Sequence, residues 1–268
     1  VRSRRDPAKT LAETLARLRR LPRGRCTAWL SPHAPYSTKP DLMRRAAGVS
    51  VQRGRPMATH VAESLLEYDM FRHRRGELFR WLERNDREMT DCDGRSPVQH
   101  LQRNRALGPH LLAIHVNYLA RGDARLLADS GTHVVHCPAS HAYFKHRAFP
   151  FQTLTRSGVN ICLGTDSLAS ARQTVSKPAE LSMFTEMRTF AECHPRVSAS
   201  CILEMATRNG AKALGLEGRL GQLSRGAEAD LVTIPFKGGL RQAARSAVKF
   251  NGQVRASMIG GDWAIEPA

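Results

Sequence analysis

PMATHVAES, residues 56–64, is the stretch on which the fold turns. Its apolar positions read as a strand, and the strand runs out into His60 and, three residues later, Glu63. The same arrangement recurs on either side. Upstream, CTAWLSPHAPYS (26–37) reads as a buried strand entering a loop; downstream come LLAIHVN (111–117), THVVHCPAS (132–140) and VNICLGTDS (159–167). Each of these five strand-like runs ends in a histidine or an aspartate: His33, His60, His115, His136 and Asp166.

Helical patterns fill the intervals. Leu11, Ala12, Leu15 and Leu18 give helical spacing over 7–20, and the Thr38–Asp41 signature with Pro40 opens a helix that Gly54 ends. Further helices are predicted over about 64–84, after Ser96-Pro97, and over 123–130, 151–158, 177–192 and 198–215. Strands alternating with helices argue for parallel βαβ units, hence an α/β chain. In an α/β barrel the C-terminal strand ends converge on one mouth, where chemistry is done. After Gly215 the texture becomes Gly-rich and strand-like, and VKFNGQVRASMIGGDW (248–263) predicts a hairpin around Asn251-Gly252. The expected organisation is a partial barrel over 1–215 and a small β-sandwich appendage over 216–268.

Composition sets bounds on function. The chain has 268 residues, 41% hydrophobic and 24% charged, which is ordinary for a globular protein and excludes a disordered or collagen-like one. Mean hydropathy is −0.39 and no apolar run approaches the ~20 residues of a membrane span. The opening VRSRRDPAKT has no apolar stretch behind its basic start, so no secretory signal is expected. The net charge of +17 comes from 34 Arg and 7 Lys spread along the whole length, without an aromatic-rich stretch, so nucleic-acid binding is the lesser reading. None of the six cysteines forms C-x-x-C or a zinc-ribbon spacing, which points to a reducing compartment, the cytoplasm, and no disulfide framework.

A single histidine on a strand is usually a packed core residue. Histidines and a carboxylate at successive strand ends suit a divalent metal instead, because neutral imidazole and carboxylate are good zinc ligands. SPHAPYS, H-x-A-E-S, the strand histidine His115, HCPAS and GTDSLAS, in that order, resemble the amidohydrolase superfamily, in its branch of metal-dependent deaminases and chlorohydrolases. The likeness runs from about residue 26 to about 260, where MATRNGAKALGLEGRLGQLSRGAEADLVTI also resembles that branch.

The resemblance implies a partial TIM-type (β/α)8 barrel of about strands four to eight. It implies that His60 is a metal ligand, Glu63 the proton shuttle, and His115 a second ligand or the residue orienting the attacking water. Asp166 would bind the metal and take that water's proton, and His33 would contact substrate, with His136, Ser140 and Ser167 lining the pocket. Glu67 is expected on a helix surface. The implied cofactor is zinc, with iron as the alternative. The implied reaction is hydrolytic deamination of a purine-like or other nitrogen heterocycle, with a chlorohydrolase or other leaving group, or an inactive basic binding protein, as alternatives. The implied partner is this small molecule, with self-association left open.

The chain departs from the family in one respect. No H-x-H pair occurs among its eleven histidines, and the likeness begins at the fourth strand. A chain lacking strands one to three leaves strand edges open and is short of zinc ligands, so it is expected to be the C-terminal part of a longer enzyme, with weak metal binding and little or no turnover alone, both restored by the upstream strands.

Overall fold

A computed structural model describes residues 5–22, 24, 26–171 and 179–267. In chain order the elements are α1 (Pro7–Arg20), α2 (Pro40–Gln52), β1 (Met57–Val61), α3 (Leu65–His73), α4 (Glu77–Arg84), α5 (Pro97–Arg103) and β2 (Leu111–His115). There follow α6 (Asp123–Asp129), β3 (His133–His136), α7 (Pro138–Tyr143), α8 (Phe151–Arg156) and β4 (Ile161–Leu163). The chain closes with α9 (Met183–Cys193), α10 (Ala199–Ala206), α11 (Arg208–Ala213), β5 (Leu231–Thr233), α12 (Ala243–Lys249), β6 (Ala256–Ile259) and β7 (Asp262–Ile265). The result is an α/β fold with a parallel sheet of strand order β1-β2-β3-β4 and a separate three-stranded sheet of order β5-β6-β7. Among the described residues no helix is long and apolar enough to cross a membrane.

Two compact units are distinguished, residues 1–135 with 146–160, and residues 136–145 with 161–268. In the first, β1 and β2 pair in parallel register from Met57↔Leu111 to Val61↔His115, and β2 pairs with β3. Alternate residues of β1 and β2 are buried, so each strand turns one face to the core. The predicted strand over 26–37 is reduced to a bridge between Leu30 and Met57. Pro32 and Pro35 lack the N–H that a ladder needs, yet the carbonyls of Leu30 and His33 still accept from Ala58 and His60. The helical region over 64–84 is split into α3 and α4 by Arg74 (φ 53°) and Gly76 (φ 102°). Met70, Phe71, Leu82 and Cys92 form a core beneath it, with Tyr36 packed against them. Arg87, 8% exposed, pairs both terminal guanidinium nitrogens with Asp91 at 2.7 and 2.8 Å and donates to the carbonyls of Tyr36 and Pro35, fastening the loop after His33.

In the second unit the carbonyl of His136 accepts from Gly164 just past β4. Helices α10 and α11 pack on β4, and Asn209 donates to the Ile161 carbonyl at 2.8 Å. The helix predicted over 177–192 begins at Met183; its first two residues, 177–178, lie outside the described residues. The hairpin predicted around Asn251-Gly252 is not there. Residues 243–249 form α12, as an Ala-rich segment can, and the hairpin turn is Gly260-Gly261 between β6 and β7. Both glycines have positive φ, 58° and 90°, which a tight two-residue hairpin requires. Only Ala256 of the β5-β6-β7 sheet is buried.

Candidate metal and proton-transfer site

The ends of β1 and β2 bring three of the predicted residues together in the first unit. The His60 and His115 rings stack with centroids 5.3 Å apart and planes 22° from parallel, and a nitrogen of each lies within 4.8 Å of the other. Regular strand geometry would not do this. His115 is in register with Val61, and its side chain would leave the sheet on the face opposite to that of His60. His115 and Val116 instead take φ of 76° and 52°, and this left-handed backbone brings the imidazole alongside that of His60. For a β-branched residue such as Val116 that conformation is a true outlier, and strain of this kind costs about 1–3 kcal/mol per residue. It persists because Val116 and Asn117 donate their backbone N–H groups to Val61 and Ala62 at 3.0 and 2.9 Å.

The carbonyl of His33 accepts from both the backbone N–H and the ring Nδ1 of His60, at 2.9 and 2.8 Å. A carbonyl only accepts, so Nδ1 carries a proton, and in the neutral ring this leaves the Nε2 lone pair for a ligand. This is the tautomer and the backbone-carbonyl support that metal-binding histidines use. The Glu63 carboxylate stands 3.7 Å from His115 Nε2, which is itself buried at 2% exposure. Two imidazoles within ligand distance of one cation, one held in the metal-binding tautomer, fit a divalent metal such as zinc. The His33 ring is 5.2 Å from that of His60, and its Nδ1 meets Ser37 Oγ at 2.6 Å.

The other candidates belong to the second unit. Asp166 has a φ of 54° and accepts from Ser170 Oγ at 3.2 Å. His136 and Ser140 are buried, the His136 ring lying 5.3 Å from that of His141. Ser167 is exposed, and its hydroxyl caps the short turn Leu168–Ser170 by accepting from Ala169 N–H.

Two carboxyls that sequence reading did not single out are buried, one in each unit. Glu67, expected on a helix surface, is fully buried, because α3 packs that side on the core. Burial first, and then the neighbouring Glu63, push its pKa up to about 8 against the pull of backbone N–H donors. Glu186 is 3% exposed, accepts from Ala139 N–H at 2.8 Å, and is pushed up to about 7, chiefly by burial and further by Asp166. Glu67 carries a sequence signal in its i+4 spacing from Glu63, whereas nothing near Glu186 announces its contact.

A family model described as "Amidohydrolase family" matches residues 2–264. The chain belongs to the amidohydrolase family. Among curated amidohydrolase relatives, a 5-methylthioadenosine/S-adenosylhomocysteine deaminase of Syntrophobacter fumaroxidans is 35% identical over 215 residues, 78% of this chain and 43% of the relative. A 5'-deoxyadenosine deaminase of Methanoregula boonei is 31% identical over 243 residues, 87% of this chain and 50% of that protein. An adenosine deaminase of Xanthomonas campestris, solved with bound zinc, superimposes with a TM-score of 0.76 at 26% identity, covering 96% of this chain and 56% of that one. This amidohydrolase chain thus spans about half the length of the relatives it matches.

Proposed function

We propose that this chain carries the greater part of the active site of a metal-dependent aminohydrolase that deaminates a purine-like nucleoside. The observation that carries it is the His60–His115 pair with Glu63 3.7 Å from His115 Nε2. In this reading His60, His115 and Asp166 hold a divalent cation, zinc as in the Xanthomonas enzyme. Such a cation supplies Lewis acidity that lowers the pKa of a water toward ~7.

The residues then divide the proton work. Asp166 accepts the proton of the attacking water, and His115 orients that water. Glu63 carries a proton to the ring nitrogen and assists the departure of ammonia. His33 contacts the substrate, and His136, Ser140 and Ser167 line the pocket. Ser167 Oγ already caps a turn, so it offers substrate only its remaining lone pair and its proton. On this reading β1 to β4 are the last four strands of a barrel whose fourth strand is the 26–37 segment. Residues 1–215 are then barrel, and 216–268 contribute to a β-sandwich. Six free cysteines agree with a cytoplasmic setting.

The test is ammonia release by the zinc-loaded chain, alone and extended with the upstream barrel strands of a relative, from adenosine, 5'-deoxyadenosine, methylthioadenosine and S-adenosylhomocysteine, beside guanine, cytosine and a chlorotriazine; turnover is expected of the extended form. Turnover confined to the adenosine derivatives, lost in His60→Ala together with bound zinc, is the expected result. Chloride release from the triazine without deamination would replace the reading by a chlorohydrolase. Equally low zinc binding and ammonia release in the chain and in its extended form would remove it.

A further inference from the structure

Glu63 is held by its own peptide unit from two sides. Its N–H donates to Glu67 Oε2 at 2.9 Å, and its carbonyl accepts from Asn117 Nδ2 at 2.9 Å. The residue before it, Ala62, has a φ of 51°, and the Ala62 carbonyl takes the N–H groups of Asn117 and Tyr118 at 2.9 and 3.2 Å. Asn117 therefore braces the turn through backbone and side chain together.

Helix capping does not account for the Glu67 contact. Ser64 is the N-cap of α3, and its Oγ accepts from Glu67 N–H at 3.2 Å. In a capping box the carboxyl of Glu67 would return to the N–H of Ser64. It reaches one residue further back, to the residue that bears the carboxylate beside His115. Its other oxygen, Oε1, is buried without a hydrogen bond of ordinary geometry, although the Ala62 N–H also pulls on the carboxyl, and this leaves a desolvation cost that an apolar side chain would avoid. A raised pKa keeps the group neutral near pH 7, so glutamine would be a close replacement in shape and charge.

We propose that Glu67 and Asn117 are positioning residues that clamp the Ala62–Glu63 turn and thereby hold the Glu63 carboxylate against His115. The catalytic consequence rests on the proton-transfer role given to Glu63 above; the clamp itself does not.

Two readouts separate the proposals. The first is hydrogen exchange of the Glu63 amide by NMR, with and without zinc. Glu67→Met and Asn117→Ala should each speed it by about tenfold or more, and Glu67→Gln, which keeps an acceptor oxygen, should not. The second is turnover of the zinc-loaded chain, extended with the upstream barrel strands of a relative, on an adenosine derivative. Glu67→Met should lower kcat by about 10–100-fold with KM within about threefold, and Glu67→Gln should restore most of it.

Unchanged Glu63 exchange in both clamp variants overturns the proposal, whatever turnover does. Faster exchange with full kcat, or equal loss in Glu67→Met and Glu67→Gln, overturns the positioning role. Should Glu67→Met fail to fold, Asn117→Ala, which keeps the buried carboxyl, decides the exchange question alone. Full turnover in Glu63→Gln would remove the proton-transfer role while exchange still judges the clamp.

Discussion

Glu67 in α3 reaches back four residues to a backbone N–H at 2.9 Å, whereas Glu186 in α9 reaches one 47 residues away at 2.8 Å. Both carboxyls are sealed from water, at 0% and 3% exposure, and both are forced upward in pKa by that burial. The first contact closes as soon as α3 winds onto the end of β1. The second exists only when α9 has docked on α7, which it does within the second unit. A local tie sets the direction of a side chain; a long-range tie of the same chemistry makes a loop depend on the packing of a distant helix.

The largest test bears on what the local tie holds. Glu63→Gln should lower turnover about 10²–10⁴-fold while the chain keeps its zinc, measured by ammonia release and metal analysis. Unchanged turnover would reduce the Glu67 contact to an ordinary turn. Next, Glu186→Leu strands the Ala139 N–H and should cost about 1–3 kcal/mol in urea unfolding. A loss equal to that of Glu67→Gln would erase the distinction between the two ties.

A third test is pH. The ordinary glutamate value is 4.5, and the folded values are about 8 for Glu67 and about 7 for Glu186. Between these limits the unfolded chain binds fewer protons than the folded one, so stability falls as pH rises, by at most about 1.4 kcal/mol per unit for each group. The fall should end near pH 8, and in Glu67→Gln near pH 7, read from urea midpoints. The smallest effect concerns the helix starts. Ser64→Ala removes a cap from α3 and should cost about 1 kcal/mol, whereas Ser182, which makes no capping bond to α9, should be replaceable within a few tenths.

What could be read from sequence follows the same division. The boundaries of α1 agree with the helical spacing of Leu11, Ala12, Leu15 and Leu18. Short apolar runs ending in histidine located β1, β2 and β3, because a half-buried strand writes its pattern into adjacent residues. Glu67 was misplaced because its burial depends on which side α3 turns to the core, and the α3 segment is too short to declare that side. The 251–252 turn failed for a related reason: Asn-Gly is a strong hairpin signal, but the Ala-rich stretch before it prefers helix, and Gly260-Gly261 answers the turn better. In the site, the nearness of His60 and His115 could be inferred from their strand ends. The backbone conformation that turns His115 to that side could not, since histidine tolerates a positive φ without requiring one and the β-branched Val116 argues against it.

That conformation limits how the motif could be transplanted. An engineer who copied the two histidines and the glutamate onto neighbouring strands of another parallel sheet, counting positions alone, would send one imidazole out of the opposite side. The graft would have to bring the irregular main chain at 115–116 along with its anchors on Val61 and Ala62. The portable unit is a bent piece of backbone, and the side chains travel as its passengers.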